Sequence, residues 1–250
     1  MTKKELIQKI EELSMNALPA IQTNVYDGWI LRFADGYTKR ANSINPIYYS
    51  NEDLDNKIKI AEQMYRVRNL KVVYKMTQQV SPENLDKTLE RNGYFLDGLT
   101  SVQVLSLKIL EVEIKYNAIV YNDLQDDWFI NFCNLNNVDE KDQKALKQML
   151  SNIIANTCYF LLSDDNNEIL ACGMCVLEGE YIGLFDIVTT EKYRNRGYGS
   201  ELIQNILQWG KENGAKYAYL QVMLNNAPAL KLYSKLGFKE LYKYWYRIKE

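Results

Sequence analysis

The residues best suited to do chemistry in this chain lie in a loop rich in glycine and arginine. The loop contains Arg194, Asn195, Arg196, Gly197, Tyr198, Gly199 and Ser200. An apolar run over residues 182–188 predicts a buried strand before the loop, and apolar residues at helical spacing follow it. Glycine lets a phosphate oxygen approach the free first amides of a helix, and arginine adds charge and donors. The pattern therefore predicts a phosphate or pyrophosphate site between a strand and a helix.

Two common phosphate-binding loops do not fit these residues. A Walker loop requires Gly-Lys followed by Ser or Thr, whereas Gly199 is followed by Ser200 and Glu201. A dinucleotide fingerprint requires a third small residue where this chain has Leu202. The loop is therefore neither of these motifs.

A second motif follows at residues 226–238. Asn226 is a good helix N-cap and Pro228 suits the first turn of the short helix that the pattern predicts. Leu232 and Leu236 are spaced to reach the core, whereas Tyr233 is turned off that row and could point its hydroxyl into a cleft. A phenol with the ordinary pKa near 10 is a proton donor at neutral pH. Tyr233 could equally be a packing aromatic, and Asn226 only a cap.

Together the two motifs resemble the GNAT superfamily of acyl-CoA-dependent N-acyltransferases. Residues 194–199 match its Arg/Gln-x-x-Gly-x-Gly/Ala loop, and residues 226–238 match its Asn-x-x-Ala-x-x-Leu-Tyr-x-x-x-Gly-Phe pattern position by position. The order of predicted elements over residues 116–250 also resembles this family, whereas the first half resembles it weakly. The resemblance implies an α+β fold with α/β-type layers, in which helices flank a mixed, mostly antiparallel sheet.

The resemblance also implies a reaction and a set of binding residues. An acetyl group would pass from acetyl-CoA, the cosubstrate, to a primary amine that attacks directly in a ternary complex. Tyr233 would act as the general acid to the CoA thiolate. Cofactor-binding positions carried over from the family are Ile187, Val188 and Thr189 for the pantetheine arm, residues 194–200 for the pyrophosphate, and Asn226.

The general base is less clear from the sequence. Asp186 is the first candidate, because a carboxylate in an otherwise apolar strand costs energy unless it has a partner or a function. A satisfied structural carboxylate is the alternative. Glu178 and Glu180, in the preceding turn, are the next candidates. The family position that most often carries a base falls near Gly183, so catalysis through ordered water also remains open.

The chain is long enough for two domains, and its first half repeats the pattern of the second. Residues 71–94 parallel residues 216–238, with Leu89 in place of Tyr233 and Ser81 near the position of Asn226. Residues 29–43 resemble a segment of tandem GNAT proteins. We therefore predict a degenerate GNAT-like domain at 1–112 and a catalytic N-acetyltransferase domain at 113–250. The polar residues 39–43 could line a cleft or form a solvated hairpin end.

Composition limits the other functions. The 250 residues carry 30 basic and 32 acidic side chains, a net charge of −2, so no strong field recruits nucleic acid or an acidic membrane. No signal peptide or membrane-length apolar run is evident, which predicts a cytoplasmic protein. Cys172 and Cys175 form a Cys-x-x-Cys, but without histidine or a second pair no metal site is predicted.

Three functional classes remain open at this point. The favoured class is an acetyltransferase whose partner is a small-molecule or peptide amine. The main alternative is a non-catalytic acyl-CoA-binding or sensing protein. A third is a structural module in which both halves are inert, which the retained loop and Tyr233 argue against. The sequence permits either a monomer or a homodimer.

Overall fold

A computed structural model of the chain describes residues 1–115 and 118–249. Residues 116, 117 and 250 of the predicted catalytic domain lie outside the described residues. Two compact units form: a first unit of Met1–Ser101 with Leu241–Glu250, and a second unit of Val102–Glu240. The domain boundary after residue 112 remains a prediction, and these units have different bounds because the last strand belongs to the first unit.

The first unit contains three helices and the strands that they flank among the described residues. Its elements are α1 (Lys3–Ala17), β1 (Gln22–Tyr26), β2 (Trp29–Phe33), β3 (Ile44–Pro46), α2 (Leu54–Arg66), β4 (Val72–Thr77), α3 (Leu85–Arg91), the first part of β5 (Phe95–Ser106) and most of β11 (Lys239–Lys249). The strand order is β1-β2-β3-β4-β11-β5. Strand β11 is antiparallel to β4, with six residue pairs from Tyr244–Thr77 to Lys249–Val72.

The second unit contains the predicted loop and both motifs. Its elements are the end of β5, then β6 (Ile119–Tyr121), α4 (Asp126–Asn136), α5 (Glu140–Ser151), β7 (Asn156–Ser163), β8 (Ile169–Glu178), β9 (Tyr181–Thr189), a 3₁₀ turn (Glu191–Tyr193), α6 (Tyr198–Glu212), β10 (Tyr217–Met223) and α7 (Ala227–Lys235). The strand order is β5-β10-β9-β8-β7-β6. The pairs β6–β7 and β7–β8 are antiparallel, as is β8–β9, whereas β9 and β10 are parallel. The predicted α+β class, with a mixed and mostly antiparallel sheet, is confirmed.

Both units contain a parallel strand pair whose second strand is followed by a short helix and another strand. In the first unit β3 and β4 pair in parallel through Ile44 and Tyr74, and α3 and β5 follow. The corresponding order later in the chain is β9, β10 and α7 of the second unit, followed along the chain by β11, most of which belongs to the first unit. The repeat predicted from the sequence is therefore a repeat of topology.

Each unit has its own hydrophobic core. In the first unit Trp29 and Tyr74 are completely buried and meet edge to face at 5.4 Å. In the second unit Phe160 of β7 packs with Leu202 and Ile206 of α6. The apolar face predicted for α6 thus fixes this helix, and the loop that leads into it, against the sheet.

The polar segment at residues 39–43 lies in the first unit. Asn42 accepts hydrogen bonds from the amides of Ala34 and Gly36 at 2.7 and 3.0 Å. Ala41 and Ser43 beside it are fully buried, so this part of the segment is not a solvated hairpin end. The cause is the amide side chain, which satisfies the backbone of the turn and lets the turn fold inward.

Candidate active site

In the second unit, strands β9 and β10 pair at their start and then separate, an arrangement that we call the fork. Their parallel pairing joins Tyr217 to Tyr181 and ends with Tyr219 opposite Gly183. Strand β9 continues to Thr189 and β10 to Met223 beyond this last pair. Residues 182–185 of β9 are buried, whereas residues 186–189 are only half-buried. One edge of β9 therefore loses its strand partner and becomes accessible over its last residues.

A β-bulge lies where the fork opens. Gly173 of β8 faces two residues of β9, Asp186 and Ile187, because the register shifts there. A Cβ on Gly173 would come within 2.5 Å of Ile187 Cδ1 and 3.2 Å of Leu202 Cδ2, so a larger residue would require these side chains to move. The Trp128 indole donates hydrogen bonds to the carbonyl oxygens of Phe160 and Gly173 at 3.2 and 3.1 Å, which fixes the strand opposite the bulge.

Asp186 adopts a left-handed backbone conformation, with φ of 54°. Aspartate tolerates this conformation better than most residues with a side chain, which gives the carboxylate a structural reason to stand in an apolar strand. Its charge also acts on its surroundings. Burial first, and then the charge of Asp186, raises the pKa of both Tyr159 and Cys172. A structural role for the Asp186 backbone in the bulge therefore does not conflict with a catalytic role for its carboxylate.

The glycine-arginine loop leads directly into α6. Gly197 is the N-cap residue, with φ of 92°, and no side chain caps the helix. The first bond within the helix runs from the Glu201 amide to the Gly197 carbonyl oxygen at 3.0 Å. The amides of residues 198–200 therefore have no partner inside the helix, as the sequence predicts for an anion site.

Gly199 brings the start of α6 close to the end of β9. A Cβ at this position would lie 3.0 Å from Thr189 Oγ1 and 3.5 Å from Leu232 Cδ2 of α7. Glycine therefore permits a close approach of three elements. The open edge of β9 therefore leads directly to the first turn of α6, whose amides have no partner within the helix.

The two arginines of the loop are exposed. Arg194 Nε donates to the Thr189 carbonyl oxygen at 3.4 Å, and the Arg196 guanidinium lies 5.5 Å from the ring of Tyr193. Neither guanidinium has a carboxylate partner among the described residues. On the outer side of the loop, Lys192 pairs with Glu168 at 2.6 Å and Tyr193 donates its hydroxyl proton to the same carboxylate. The positive charge of the two arginines is thus available to an anion.

The second motif folds as predicted at its start. Asn226 Oδ1 accepts a hydrogen bond from the Ala229 amide at 3.2 Å and so caps α7, with Pro228 in the first turn. Asn226 is exposed. A role in cofactor binding remains a prediction for this residue.

The orientation predicted for Tyr233 is wrong in one respect. Tyr233 is the buried residue of α7, whereas Leu232 and Leu236 are only partly buried. The ring packs edge to face on Phe238 at 5.9 Å, and this large apolar surface turns the face of α7 that carries Tyr233 toward the core. Spacing alone could not predict which face of a nine-residue helix is buried.

The hydroxyl of Tyr233 remains available as a donor. Among the described residues no group hydrogen-bonds it, and its oxygen is not one of the fully enclosed polar atoms. Burial raises the pKa of Tyr233 to about 12, because the phenolate would lose its hydration. The side chain therefore holds its proton throughout the physiological range.

The other carboxylates considered from the sequence lie away from the opening of the fork. Glu180 forms an ion pair with Lys216, and its carbonyl oxygen accepts the amides of Lys216 and Tyr217 at the start of β10. Glu178 stands opposite Tyr181, at the same closed end. The end of the fork at which Tyr219 pairs with Gly183 has no carboxylate from either strand except Asp186.

Sequence reasoning missed Tyr219. Gly183 inside a strand was the available signal, since an isolated glycine in a strand often marks a close approach. The structure shows what approaches: a Cβ on Gly183 would lie 2.6 Å from both Cζ and Oη of Tyr219.

No metal centre emerges from the described residues, in which no group of three potential protein ligands could hold an ion. The four cysteines are buried thiols, and Cys172 and Cys175 both lie within β8. Within the same described part of the chain, no helix has the length and apolar character needed to cross a bilayer.

Comparison with solved structures identifies the fold. A GCN5-related N-acetyltransferase from Kribbella flavida superposes with a TM-score of 0.72 at 12% identity, covering 97% of this chain and 95% of that one. A tandem GNAT protein from the clavulanic acid biosynthesis pathway, solved without AcCoA, gives a TM-score of 0.66 at 11% identity and covers 96% and 87%. The fold is therefore that of the GNAT N-acetyltransferases, including the tandem type.

Sequence comparison gives the family. Residues 5–247 match the family described as "Probable histone acetyltransferase Rv0428c C-terminal". The uncharacterized N-acetyltransferase YobR of Bacillus subtilis (strain 168) is 30% identical over 250 residues, covering 97% of this chain and 98% of that protein. The chain belongs to this family of acetyltransferases, and the prediction of a GNAT-type acyltransferase enzyme is confirmed.

Proposed function

We propose that the second unit binds acetyl-CoA and transfers the acetyl group to a primary amine by direct attack in a ternary complex. One observation carries the proposal. The edge of β9 that loses its strand partner beyond Gly183 ends at Thr189, which lies against Gly199 in the first turn of α6, where the amides have no partner within the helix. A continuous row of backbone hydrogen-bonding groups thus leads to an anion site, as an elongated ligand with a phosphate end requires.

The residues fit such a ligand. Backbone groups of Ile187, Val188 and Thr189 would hold the pantetheine arm along the open edge. The amides of Tyr198, Gly199 and Ser200 would receive the pyrophosphate, with Asn195, Gly197 and the two arginines around it. Asn226 would contribute at the start of α7. When bound, acetyl-CoA supplies a thioester, which is a reactive acyl donor.

Two side chains of the second unit would accept and donate the protons of the reaction. An alkylamine is mostly protonated at pH 7, so one proton must leave before nitrogen attacks. We assign this proton to Asp186, which is half-buried at the bulge and would accept it directly or through water. The new C–N bond would form as the C–S bond breaks, and Tyr233 would donate its hydroxyl proton to the departing sulfur. The second proton that the nitrogen loses would then restore the phenol of Tyr233.

The partner of this reaction would be a small-molecule or peptide amine. The family description names a probable histone acetyltransferase, so lysine-containing basic peptides belong on the list of acceptors to test. A cytoplasmic location, the lack of nucleic-acid and membrane partners, and a monomeric or homodimeric state stay predictions from the sequence.

Calorimetric titration of acetyl-CoA tests the binding half of the proposal. We expect Gly199→Glu to abolish binding, because the new side chain fills the close approach to Thr189 and places a negative charge at the anion site. Asn134→Glu adds the same charge at an exposed position of α4 and should bind as the wild type does. Equal affinity in the two variants would contradict the site.

Thiol release tests the transfer half. Wild-type protein is incubated with acetyl-CoA and, in turn, with alkylamines, amino acids and lysine peptides, and free CoA is measured. Amine-dependent release that is lost in Gly199→Glu supports the transferase. Binding without release on any amine would instead support the acyl-CoA-sensing alternative, and no binding at all would overturn the proposal.

A further inference from the structure

The side chain of Tyr219 lies at the point where β9 and β10 separate. Tyr219 and Gly183 form the last pair of the parallel ladder, beyond which β9 and β10 no longer pair. The phenol of Tyr219 lies over Gly183, where a Cβ would come within 2.6 Å of its oxygen. Because Gly183 has no side chain, the hydroxyl of Tyr219 fits above it.

The phenol is held firmly in this place. Its ring meets the ring of Phe185 edge to face at 5.9 Å, and the residue is 2% exposed. Phe185 also approaches Gly183, since a Cβ there would lie 2.5 Å from Phe185 Cε2. Immediately after Phe185 the strand becomes half-buried at Asp186. The hydroxyl is therefore held over Gly183, in the last residue pair before β9 and β10 separate.

We infer that Tyr219 is a catalytic residue that orients the acceptor amine through its hydroxyl. This inference rests on the proposed transferase function of the second unit. A ligand lying in the gap between the strands ends, on its inner side, at the last pair, and Tyr219 provides the polar group there. A phenol oxygen accepts a hydrogen bond from an amine N–H, and this bond points the nitrogen lone pair away from Tyr219 and into the gap between the strands.

The inference assigns Tyr219 a task that differs from proton removal. The hydroxyl accepts a hydrogen bond from the amine, and no proton is transferred to or from it. Its contribution is to hold the nucleophile in an attacking geometry, which water, a smaller nucleophile, does not need to the same extent. Loss of the hydroxyl should therefore slow transfer to the amine more than it slows hydrolysis of the same bound thioester.

Tyr219→Phe tests this role, because it removes one oxygen and keeps the ring against Phe185. We expect unchanged acetyl-CoA affinity by calorimetry, a fall of about 10- to 100-fold in kcat/KM for the amine, and hydrolysis of acetyl-CoA without amine within about 2-fold of wild type. Tyr217→Phe is the matched control. It removes a hydroxyl two residues earlier on the same strand, where the ring stacks on Tyr181 at 5.2 Å, and should keep wild-type transfer.

Gly183→Ala provides a second variant if Tyr219→Phe does not fold. Its methyl group must displace the rings of Tyr219 and Phe185, and the shift of the phenol should lower transfer relative to hydrolysis in the same way. Wild-type transfer in Tyr219→Phe, or an equal loss of transfer and hydrolysis, would overturn the role of Tyr219 and leave the proposed function standing. A wild-type protein that binds acetyl-CoA and acetylates no amine would overturn both.

Discussion

Tyr233 combines a buried ring with a hydroxyl that has no hydrogen-bond partner among the described residues, and removal of the hydroxyl tests whether it acts as a donor or only packs. A tyrosine used only for packing would lose little when its hydroxyl is removed. We expect Tyr233→Phe to lower kcat by about 100-fold, the scale of a lost general acid, with unchanged acetyl-CoA affinity. Steady-state kinetics with calorimetry checks this. Tyr181→Phe, which alters the stacked pair at the closed end of the fork, serves as the control.

The raised pKa of Tyr233 sets the direction of its pH dependence. Burial moves this pKa from the ordinary value of 10.0 to about 12. The neutral phenol is favoured in the folded state, so its contribution to the free energy of unfolding is complete below pH 10 and is lost as pH rises through 12. We expect wild-type kcat to show no alkaline fall from this group below about pH 11. A fall centred near pH 9 that disappears in Tyr233→Phe would contradict the assignment.

The role of Asp186 depends on the backbone of the bulge in β9 as well as on the charge of its side chain. Its left-handed conformation would strain a residue such as alanine by about 1–2 kcal/mol, whereas asparagine adopts it nearly as well as aspartate. Asp186→Asn thus removes the charge and keeps the bulge, and Asp186→Ala removes the charge and strains the bulge. Unfolding curves and kinetics of both variants separate the two roles.

The expected outcome for a general base is a loss of transfer of about 100-fold in both variants, with reduced stability only in Asp186→Ala. Transfer at the wild-type rate in Asp186→Asn would identify the residue as structural and leave proton removal to ordered water. Among the described residues of the two strands no other carboxylate lies at the opening, so these outcomes decide between the two mechanisms.

The elements that the sequence predicts well are those fixed by local patterns. The strand before the loop, helix α6 and the cap at Asn226 all follow from residues that are neighbours in the chain. The buried face of α7 and the bulge could not be predicted in this way, because each depends on what packs opposite. Tyr219 illustrates the limit: Gly183 indicated a close approach, but the register of β10 alone determines which side chain arrives.

Strand β11 is attached to helix α3 by a charged cluster within the first unit. Arg247 bonds Asp86 through Nε and Nη2, both at 2.9 Å, and Trp245 donates to the same carboxylate at 2.8 Å. The bond from Arg247 holds the pKa of Asp86 below its usual value. A lowered carboxyl pKa contributes stability above the unfolded pKa, and that contribution is lost as pH falls through the folded pKa.

Asp86→Asn should therefore destabilise the protein by about 1–2 kcal/mol at neutral pH, since the site is partly open to solvent. The difference between the variant and the wild type should shrink as pH falls below about 4, the ordinary carboxyl pKa, and through the lower pKa of Asp86 in the folded protein. Urea unfolding at pH 7 and at pH 3 measures both values. A difference that stays constant with pH would show that the charge of Asp86 is not what stabilises this contact.

At the scale of the whole molecule, the first unit is built from both ends of the chain. Residues 241–249 supply a strand that pairs with β4 at six positions and carries Arg247 to α3. The pairing of β4 with a strand from a distant segment cannot be predicted from local pattern. A division of the sequence after residue 112 therefore assigns β11 to the second domain. Residues 1–101 alone leave the β11 side of β4 without the partner it has in the full chain.

Deletion of residues 241–250 tests this dependence. We expect the amides of β4 and the helix α3 to lose protection from hydrogen exchange, because they lose six paired positions and the bonds to Arg247. Strand β8 has its partners and its core within 102–240 and should keep its protection. Arg247→Gln, which removes the ion pairs and keeps the strand, should lower protection less than the deletion does. Full protection of β4 in the truncated chain would mean that residues 1–101 fold as an independent domain.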